Sequence, residues 1–444
     1  MSPPVRSITS DETLPQSADL VIIGGGIVGC SAAYYAASRG LSVVVVEKGH
    51  VGGEQSSRNW GWVRQQGRAV AEMPLSRESL RLWGELQTKS EADLGFRHAG
   101  VLYVTEDQPD MERWERWQKK AAQHQIESRL LSATEAKAMT PGCTIPWIGG
   151  LYTENDGRAE PALAAPGIAE MARKAGAVIV QHCAARGLEL EAGRVSAVVT
   201  EKGRIKTSRA IGAGGVWSAL FCRRHGVEVP ILGVRHTAAA TTPAPEVTGG
   251  MIGTSPFTIR RRTDGGYTLS KRSPLLFELT PSAFRHFFAF WPAFLREGKS
   301  MKIRFGRAFF EALATPKTWP LDGPSPFEKE SARVLDPAPD PQLLKLALDN
   351  LRKAYPALSK TELAMSWGGT IDATPDAIPV ISAVDPIPGF FLAAGHSGHG
   401  FGTGPAAGHL AVDLATGVAP IVDPAPFRFS RMVDGSKLIP ETGF

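Results

Sequence analysis

The segment Gly24-Gly25-Gly26-Ile27-Val28-Gly29 constrains this chain more than any other. It follows the apolar run Ala18-Asp19-Leu20-Val21-Ile22-Ile23, which reads as a buried strand. It opens an Ala-rich helix predicted over 27–39, and a second buried strand follows over 41–46. Strand, glycine turn, helix and strand make one βαβ unit. In a G-x-G-x-x-G turn the first glycine, Gly24, permits the bend and the second, Gly26, lets the backbone approach a pyrophosphate. The third, Gly29, lets helix and strand pack closely. The helix start at Ile27 and Val28 adds N–H groups and a positive dipole. Glu47 lies eighteen residues beyond Gly29 (47 − 29), where a carboxylate accepts hydrogen bonds from an adenosine ribose and disfavours a 2′-phosphate. These parts together predict a dinucleotide site, with NAD or FAD still open.

The length of 444 residues suits two or three domains and a large buried cofactor. The net charge is +5, but the basic residues are not gathered into Lys/Arg runs with interleaved aromatics, so nucleic acid is not an expected partner. Four scattered cysteines, Cys30, Cys143, Cys183 and Cys222, form no C-x-x-C pair, so neither a metal site nor a disulfide scaffold is expected. The polar start of the chain lacks a signal-peptide core, and no run approaches the roughly 20 apolar residues of a membrane span. A cytoplasmic protein is expected, with peripheral contact at a membrane surface as the alternative.

The fold class expected is α/β plus α+β. Residues 17–75, 150–225 and 364–425 form a discontinuous Rossmann-type domain. Residues 76–149 and 226–363 form a substrate domain on a mixed or antiparallel sheet, and 281–318 form an insertion. Within the first domain, Glu191-Ala192-Gly193 and Glu201-Lys202-Gly203 read as hairpin turns of a small meander. Short apolar runs over 378–382 and 389–395, then a helix near Pro405, read as a terminal segment rejoining it.

The stretch Val43 to Gly49 followed by Gly53-Glu54-Gln55-Ser56-Ser57-Arg58-Asn59 resembles the amino-acid oxidase group of flavoproteins, which includes the sarcosine and glycine oxidases. Gln181 to Glu189, Val199 to Gly203, and Ala213-Gly214-Gly215-Val216-Trp217-Ser218 resemble, more specifically, the bacterial membrane L-amino acid deaminases. This resemblance implies FAD, with Glu47, Lys48, Gly53, Gln55, Ser56, Ser57, Gly61, Ala184, Ala213, Gly214 and Trp217 joining the glycine turn as cofactor-binding residues. Gly395-His396-Ser397-Gly398-His399-Gly400-Phe401-Gly402 suits a flavin, because a glycine turn opening a helix brings N–H groups to the ring edge that gains negative charge on reduction. The deaminases carry a tryptophan about where His399 falls. With no cysteine in that loop, non-covalent FAD is expected.

Oxidising an amine at Cα needs an anchor for the rest of the substrate and a Cα–H aimed at flavin N5. Arginine suits a carboxylate because its planar fork pairs with both oxygens. By resemblance Arg260, in Arg260-Arg261-Arg262, falls on the deaminases' carboxylate-binding arginine; a solvated basic hairpin is the alternative. Trp60 and Trp62 suit either a pocket wall or ordinary core, and the deaminases carry a glutamine about where Trp62 stands. His399 suits proton transfer or a flavin hydrogen bond, or a purely structural place. The catalytic candidates are therefore Arg260, Trp62 and His399.

The segment 281–318 has seven basic residues (Arg285, Arg296, Lys299, Lys302, Arg304, Arg307, Lys317) against Glu297 and Glu311, with nine aromatics. Such a stretch lies on anionic lipid or closes as a lid over a site. In the deaminases the corresponding insertion is associated with the membrane, and an N-terminal anchor is present that this sequence does not show. Either oxygen or a membrane quinone is thus the expected acceptor. The leading expectation is oxidative deamination of an α-amino acid: hydride passes to FAD, and the imino acid hydrolyses to a keto acid and ammonia. The alternative is the same oxidation of a secondary amine, such as an N-alkylglycine, imino acid or opine.

Overall fold

Four consecutive valines, Val43–Val46, are all buried, as β-branched residues are in a strand covered on both faces. In the computed structural model, which describes residues 3–441 apart from the Lys299 side chain, they pair in parallel with Leu20–Ile23. Val178–Val180 extends the sheet beyond the valines. Ala210–Gly212 and Phe390–Ala394 extend it on the other side, and Val380–Ala383 closes that edge antiparallel. Helix Ile27–Ala37 packs between helices Pro161–Lys174 and Gly400–Thr416. The last contact is backbone against backbone: a Cβ on Gly408 would sit 2.6 Å from both Val28 O and Ala32 N. Small residues at this crossing bring the start of the C-terminal helix to the glycine turn. On the opposite face a meander of Ala185–Glu191, Arg194–Thr200 and Gly203–Lys206 packs its apolar side. Ala192 and Gly193 both have positive φ, 48° and 76°, as a two-residue primed turn requires.

A ten-stranded mixed sheet forms the second domain. Leu232–Thr241 pairs with Leu363–Ala373, and Tyr267–Ser270, Thr258–Arg261 and Met251–Gly253 continue the sheet to Val101–Thr105, Gly149–Thr153 and Arg129–Ser132. Three expected boundaries are corrected here. Residues 150–153 and 364–373 belong to this sheet, not to the dinucleotide domain. Helix Met73–Lys89 packs against Gly400–Thr416, with Ser79 Oγ and Trp83 Nε1 donating to Gly402 O at 2.7 and 3.0 Å. The C-terminal helix begins at Gly400, earlier than the expected start near Pro405.

The segment 281–318 forms helices Pro281–Arg285, Phe287–Glu297 and Arg307–Ala314, with strand Met301–Arg304 at the edge of the second sheet. Among the described residues, ten of the sixteen exposed large apolar side chains lie between Phe284 and Leu313. No described helix is long and apolar enough to cross a membrane.

Candidate functional site

A cleft of about 1350 Å³, counted to its open mouth, runs from the glycine turn to the start of helix Gly400–Thr416. At the first end Gly24 has φ +112°, and a Cβ there would stand 2.6 Å from Ala213 O. A Cβ on Gly29 would stand 2.0 Å from Gly24 O, so this glycine lies behind the turn and sets its packing. The Glu47 carboxylate accepts from Gly25 N–H and Gly49 N–H, both at 2.7 Å, which fixes it at the lip of the cleft. Burial raises its pKa above the ordinary carboxylate range, against the pull of Lys48 and the two N–H groups. Ser56 Oγ accepts from Ile27 N–H at 2.9 Å and so caps the helix start.

At the other end Gly398, Gly400 and Phe401 line the cleft. Asp372 holds this loop, its Oδ2 accepting from Gly395 N–H at 2.7 Å and His396 N–H at 3.2 Å. The buried His396 ring also lines the cleft, and neither of its nitrogens has a partner within the protein. Two glycine-rich helix starts at opposite ends of one cleft, a fixed acidic residue at one and unpartnered ring nitrogens at the other, fit an extended dinucleotide such as FAD.

Of the expected cofactor residues, Gly24, Gly26, Ile27, Val28, Glu47, Lys48, Gly53, Gln55, Ser56, Ala213, Gly214, Trp217, Gly398, Gly400 and Phe401 line the cleft. The others do not. Ser57 turns inward to Glu54 O, and Ala184 is buried with its N–H on Glu201 while Ala185 lines the cleft. A Cβ on Gly61 would meet Arg260 Nε at 2.6 Å, and one on Gly402 would meet Trp62 O at 3.1 Å. Gly395 supports the loop through Asp372. Lys48 lines the cleft but is tied to Glu54, to Ala332 O and to the Trp217 ring. Arg333 and Val334, which also line it, carried no motif. Arg333 is fixed by a bidentate pair with Glu201.

The catalytic expectations need correction. Arg260 is fully buried and fully engaged, donating to Trp60 O at 2.6 Å, Glu160 Oε1 at 2.8 Å, Glu160 Oε2 at 3.1 Å and Thr268 Oγ1 at 3.0 Å. Its fork already holds a carboxylate. Arg261 lies over the Tyr267 ring, and Arg262 pairs with Asp264. Trp62 sits in core between Trp60 and Tyr103, with ring centroids 6.1 and 6.0 Å away. His399 caps the C-terminal helix, with Nδ1 2.9 Å from the fully buried Glu72 carboxylate. Burial, with the charge of Arg68, holds His399 down at about 4, so the ring is neutral near pH 7.

Around this corner stand arginines that the sequence reading passed over. Arg64 lies over the Tyr103 ring at 5.9 Å, and its own carbonyl accepts from Arg68 Nε at 3.2 Å. Arg68 is buried, with Nη1 unpartnered; burial lowers it to about 10. Arg272 extends just past strand Tyr267–Ser270 and keeps accessible surface.

A discontinuous parallel sheet with two glycine-rich helix starts facing one cleft defines a dinucleotide-dependent oxidoreductase. The chain matches the family described as DAO, FAD dependent oxidoreductase, over residues 19–414, and belongs to it. Its cofactor is FAD. The structure is similar to the L-amino acid deaminase of Proteus myxofaciens solved with anthranilate: TM-score 0.92, 30% identity, 97% of this chain and 98% of that one. The deaminase of Proteus vulgaris gives 0.91 at 32% identity, with 96% and 100% covered. In sequence, the chain is 25% identical over 432 residues to the sarcosine oxidase subunit beta of Rhizobium meliloti, covering 96% of this chain and 90% of that one. It is 27% identical over 236 residues to human mitochondrial sarcosine dehydrogenase, a match of 51% of this chain that spans only 26% of that protein.

Proposed function

We propose that this flavoprotein oxidatively deaminates an α-amino acid. Bound FAD supplies the hydride acceptor, and the imino acid released hydrolyses to a keto acid and ammonia. The observation that carries this reading is the near-complete overlap with the two Proteus deaminases at about 30% identity. Arg64 takes the anchoring role expected of Arg260. Its backbone lies against the flavin-side helix, Arg64 N being 3.6 Å from where a Gly402 Cβ would be, and its guanidinium has no ion pair among the described residues. Trp60, Trp62 and Tyr103 exclude water behind it, and neutral His399, held by Glu72, keeps an uncharged ring beside the reacting corner. None of the four cysteines lines the cleft, in keeping with FAD held without a covalent bond.

A second reading, oxidation of a secondary amine, is favoured by the similarity to sarcosine oxidase subunit beta and to N-methyl-L-tryptophan oxidase of Salmonella arizonae, the latter at 26% identity over 421 residues. Product analysis separates them: the leading reading requires ammonia in step with substrate consumed, and a released primary amine or formaldehyde in its place overturns it.

We further propose that 281–318 seats on an anionic membrane surface, where electrons leave for a quinone. Phe288 and Leu295, 88% and 67% exposed, lie on one helix beside Arg296, with Lys302 and Arg304 nearby in sequence.

A further inference from the structure

Most of the dinucleotide cleft is walled by regular structure. The glycine turn joins strand Leu20–Ile23 to helix Ile27–Ala37, Ala213 and Gly214 end strand Ala210–Gly212, and Gly400 starts the C-terminal helix. The loop 47–56 is bound to that turn through its backbone, Gly52 N–H donating to Gly25 O at 3.0 Å. One wall is different. Phe327, Arg333 and Val334 also line the cleft, and they belong to residues 319–336, which leave the insertion and cross to the first domain before helix Pro341–Ala354. Among the described residues, 319–336 pair with no strand, and their regular structure is the 3₁₀ turn Pro326–Glu328 and the four-residue helix Glu330–Arg333.

Side chains of the first domain fasten this segment. At its near end Trp319 Nε1 donates to Arg186 O at 2.8 Å, and Arg224 Nη2 donates to Trp319 O at 3.0 Å. Arg186 grips the Glu328 carboxylate with both arms of its fork, at 2.8 and 3.0 Å. At the far end Lys48 Nζ donates to Ala332 O at 2.5 Å and Arg333 O at 3.1 Å. Arg333 Nη2 donates to Glu201 Oε2 and Arg58 Nη1 to Asp336 Oδ1, both at 2.6 Å. Glu54 accepts from Leu335 N–H at 3.0 Å and from Trp217 Nε1 at 3.1 Å, which joins the segment to the wall beyond Gly214. Between these fastenings Phe327 is 4% exposed and packs edge-on against Trp217 and Trp319, with ring centroids 5.9 and 5.4 Å away.

Lifting this wall breaks side-chain bonds and an aromatic contact, but no sheet ladder and no turn of a long helix. Moving any other wall disrupts a strand end, a helix start or a backbone-bonded loop, so this one opens at the lowest cost. We propose that residues 319–336 are the gate through which FAD enters and leaves, with Phe327, Arg333 and Val334 facing the cofactor and the Arg186–Glu328 pair as its bolt. The bolt lies outside the cleft: Ala185 lines it, whereas Arg186 and Glu328 do not. Removing the pair therefore loosens the gate without removing a contact to FAD. This concerns the cofactor alone and holds whichever amine is oxidised.

The test dilutes the full FAD-loaded protein to nanomolar concentration and follows the fluorescence of free FAD. The rise gives the release rate, and the plateau gives the dissociation constant. In Arg186→Gln release should be about tenfold faster than in the parent, the size of one charge-assisted hydrogen bond, while the dissociation constant moves by less than about threefold. A gate produces that split because it speeds entry and exit together. Glu328→Gln should behave alike, and the double variant should be no faster than either single one, since both remove the same pair. Arg186→Met with Glu328→Leu leaves no unpaired charge, and gives the same reading where a single variant folds poorly. An unchanged release rate, or a rate and a dissociation constant raised by one common factor, overturns the gate and leaves 319–336 as a fixed wall.

Discussion

Arg260→Met separates a structural arginine from a substrate anchor. In the parent, the Arg260 fork carries both oxygens of Glu160, Trp60 O and Thr268 Oγ1, with the side chains of Arg260 and Glu160 1% and 6% exposed. Removing the arginine leaves the Glu160 carboxylate buried, hydrogen-bonded to Thr263 N–H at 3.0 Å, with Arg158 at 3.8 Å and the charge of Arg262 farther off. Breaking a buried pair from one side costs about 3–5 kcal/mol. In a chain of this size that corresponds to a fall in Tm of roughly 5 °C, followed by flavin fluorescence on heating. The double variant Glu160→Leu/Arg260→Met should recover much of that loss, because an apolar pair of similar volume leaves no orphaned charge. Substrate half-saturation in the folded fraction should move by less than about threefold, since no free donor of Arg260 faces the substrate. An unchanged Tm, together with a hundredfold rise in KM confined to carboxylate-bearing substrates, would refute this account and restore Arg260 as the anchor.

Gly408→Val places side-chain carbons where Val28 O and Ala32 N already stand, so the C-terminal helix must move off the glycine turn; FAD affinity, measured by fluorescence quenching, should fall at least about tenfold. His225, His236 and His399 are each lowered to about 4, mainly by burial, from an ordinary 6.5. The unfolded chain therefore binds more protons between pH 4 and 6.5, so Tm should rise with pH across that window and level off above it. A Tm falling with pH there would show the rings charged in the folded state. Phe288→Glu with Leu295→Glu should abolish sedimentation with anionic vesicles while leaving flavin reduction in solution unchanged, because both side chains point to solvent.

The dinucleotide turn was legible because its parts are local. Gly24, Gly29 and Glu47 lie within one βαβ unit, and spacing alone fixes their relation. The meander turn at Ala192-Gly193 was legible for the same reason. What failed depends on distant partners. Strand alternation gives Arg260 a face, but Glu160, which occupies its fork, lies 100 residues away. The strands 149–153 and 363–373 are glycine-containing, with nothing local to say which sheet they join, and only pairing with 101–105 and 232–241 assigns them. Arg64 follows Trp60 and Trp62 closely in sequence, yet nothing in its neighbourhood distinguishes an arginine without an ion pair from one with a carboxylate partner. Arg272, at a strand end, and Arg333, in a long connection, had no pattern to mark them.

The most direct test of the central claim is the visible spectrum of the purified protein during anaerobic additions of single L- and D-amino acids and N-methylglycine, followed by NADPH. FAD-dependent oxidation at a C–N bond predicts flavin bleaching by at least one amino acid or amine and none by NADPH. Bleaching by NADPH, with every amine inert, would contradict it.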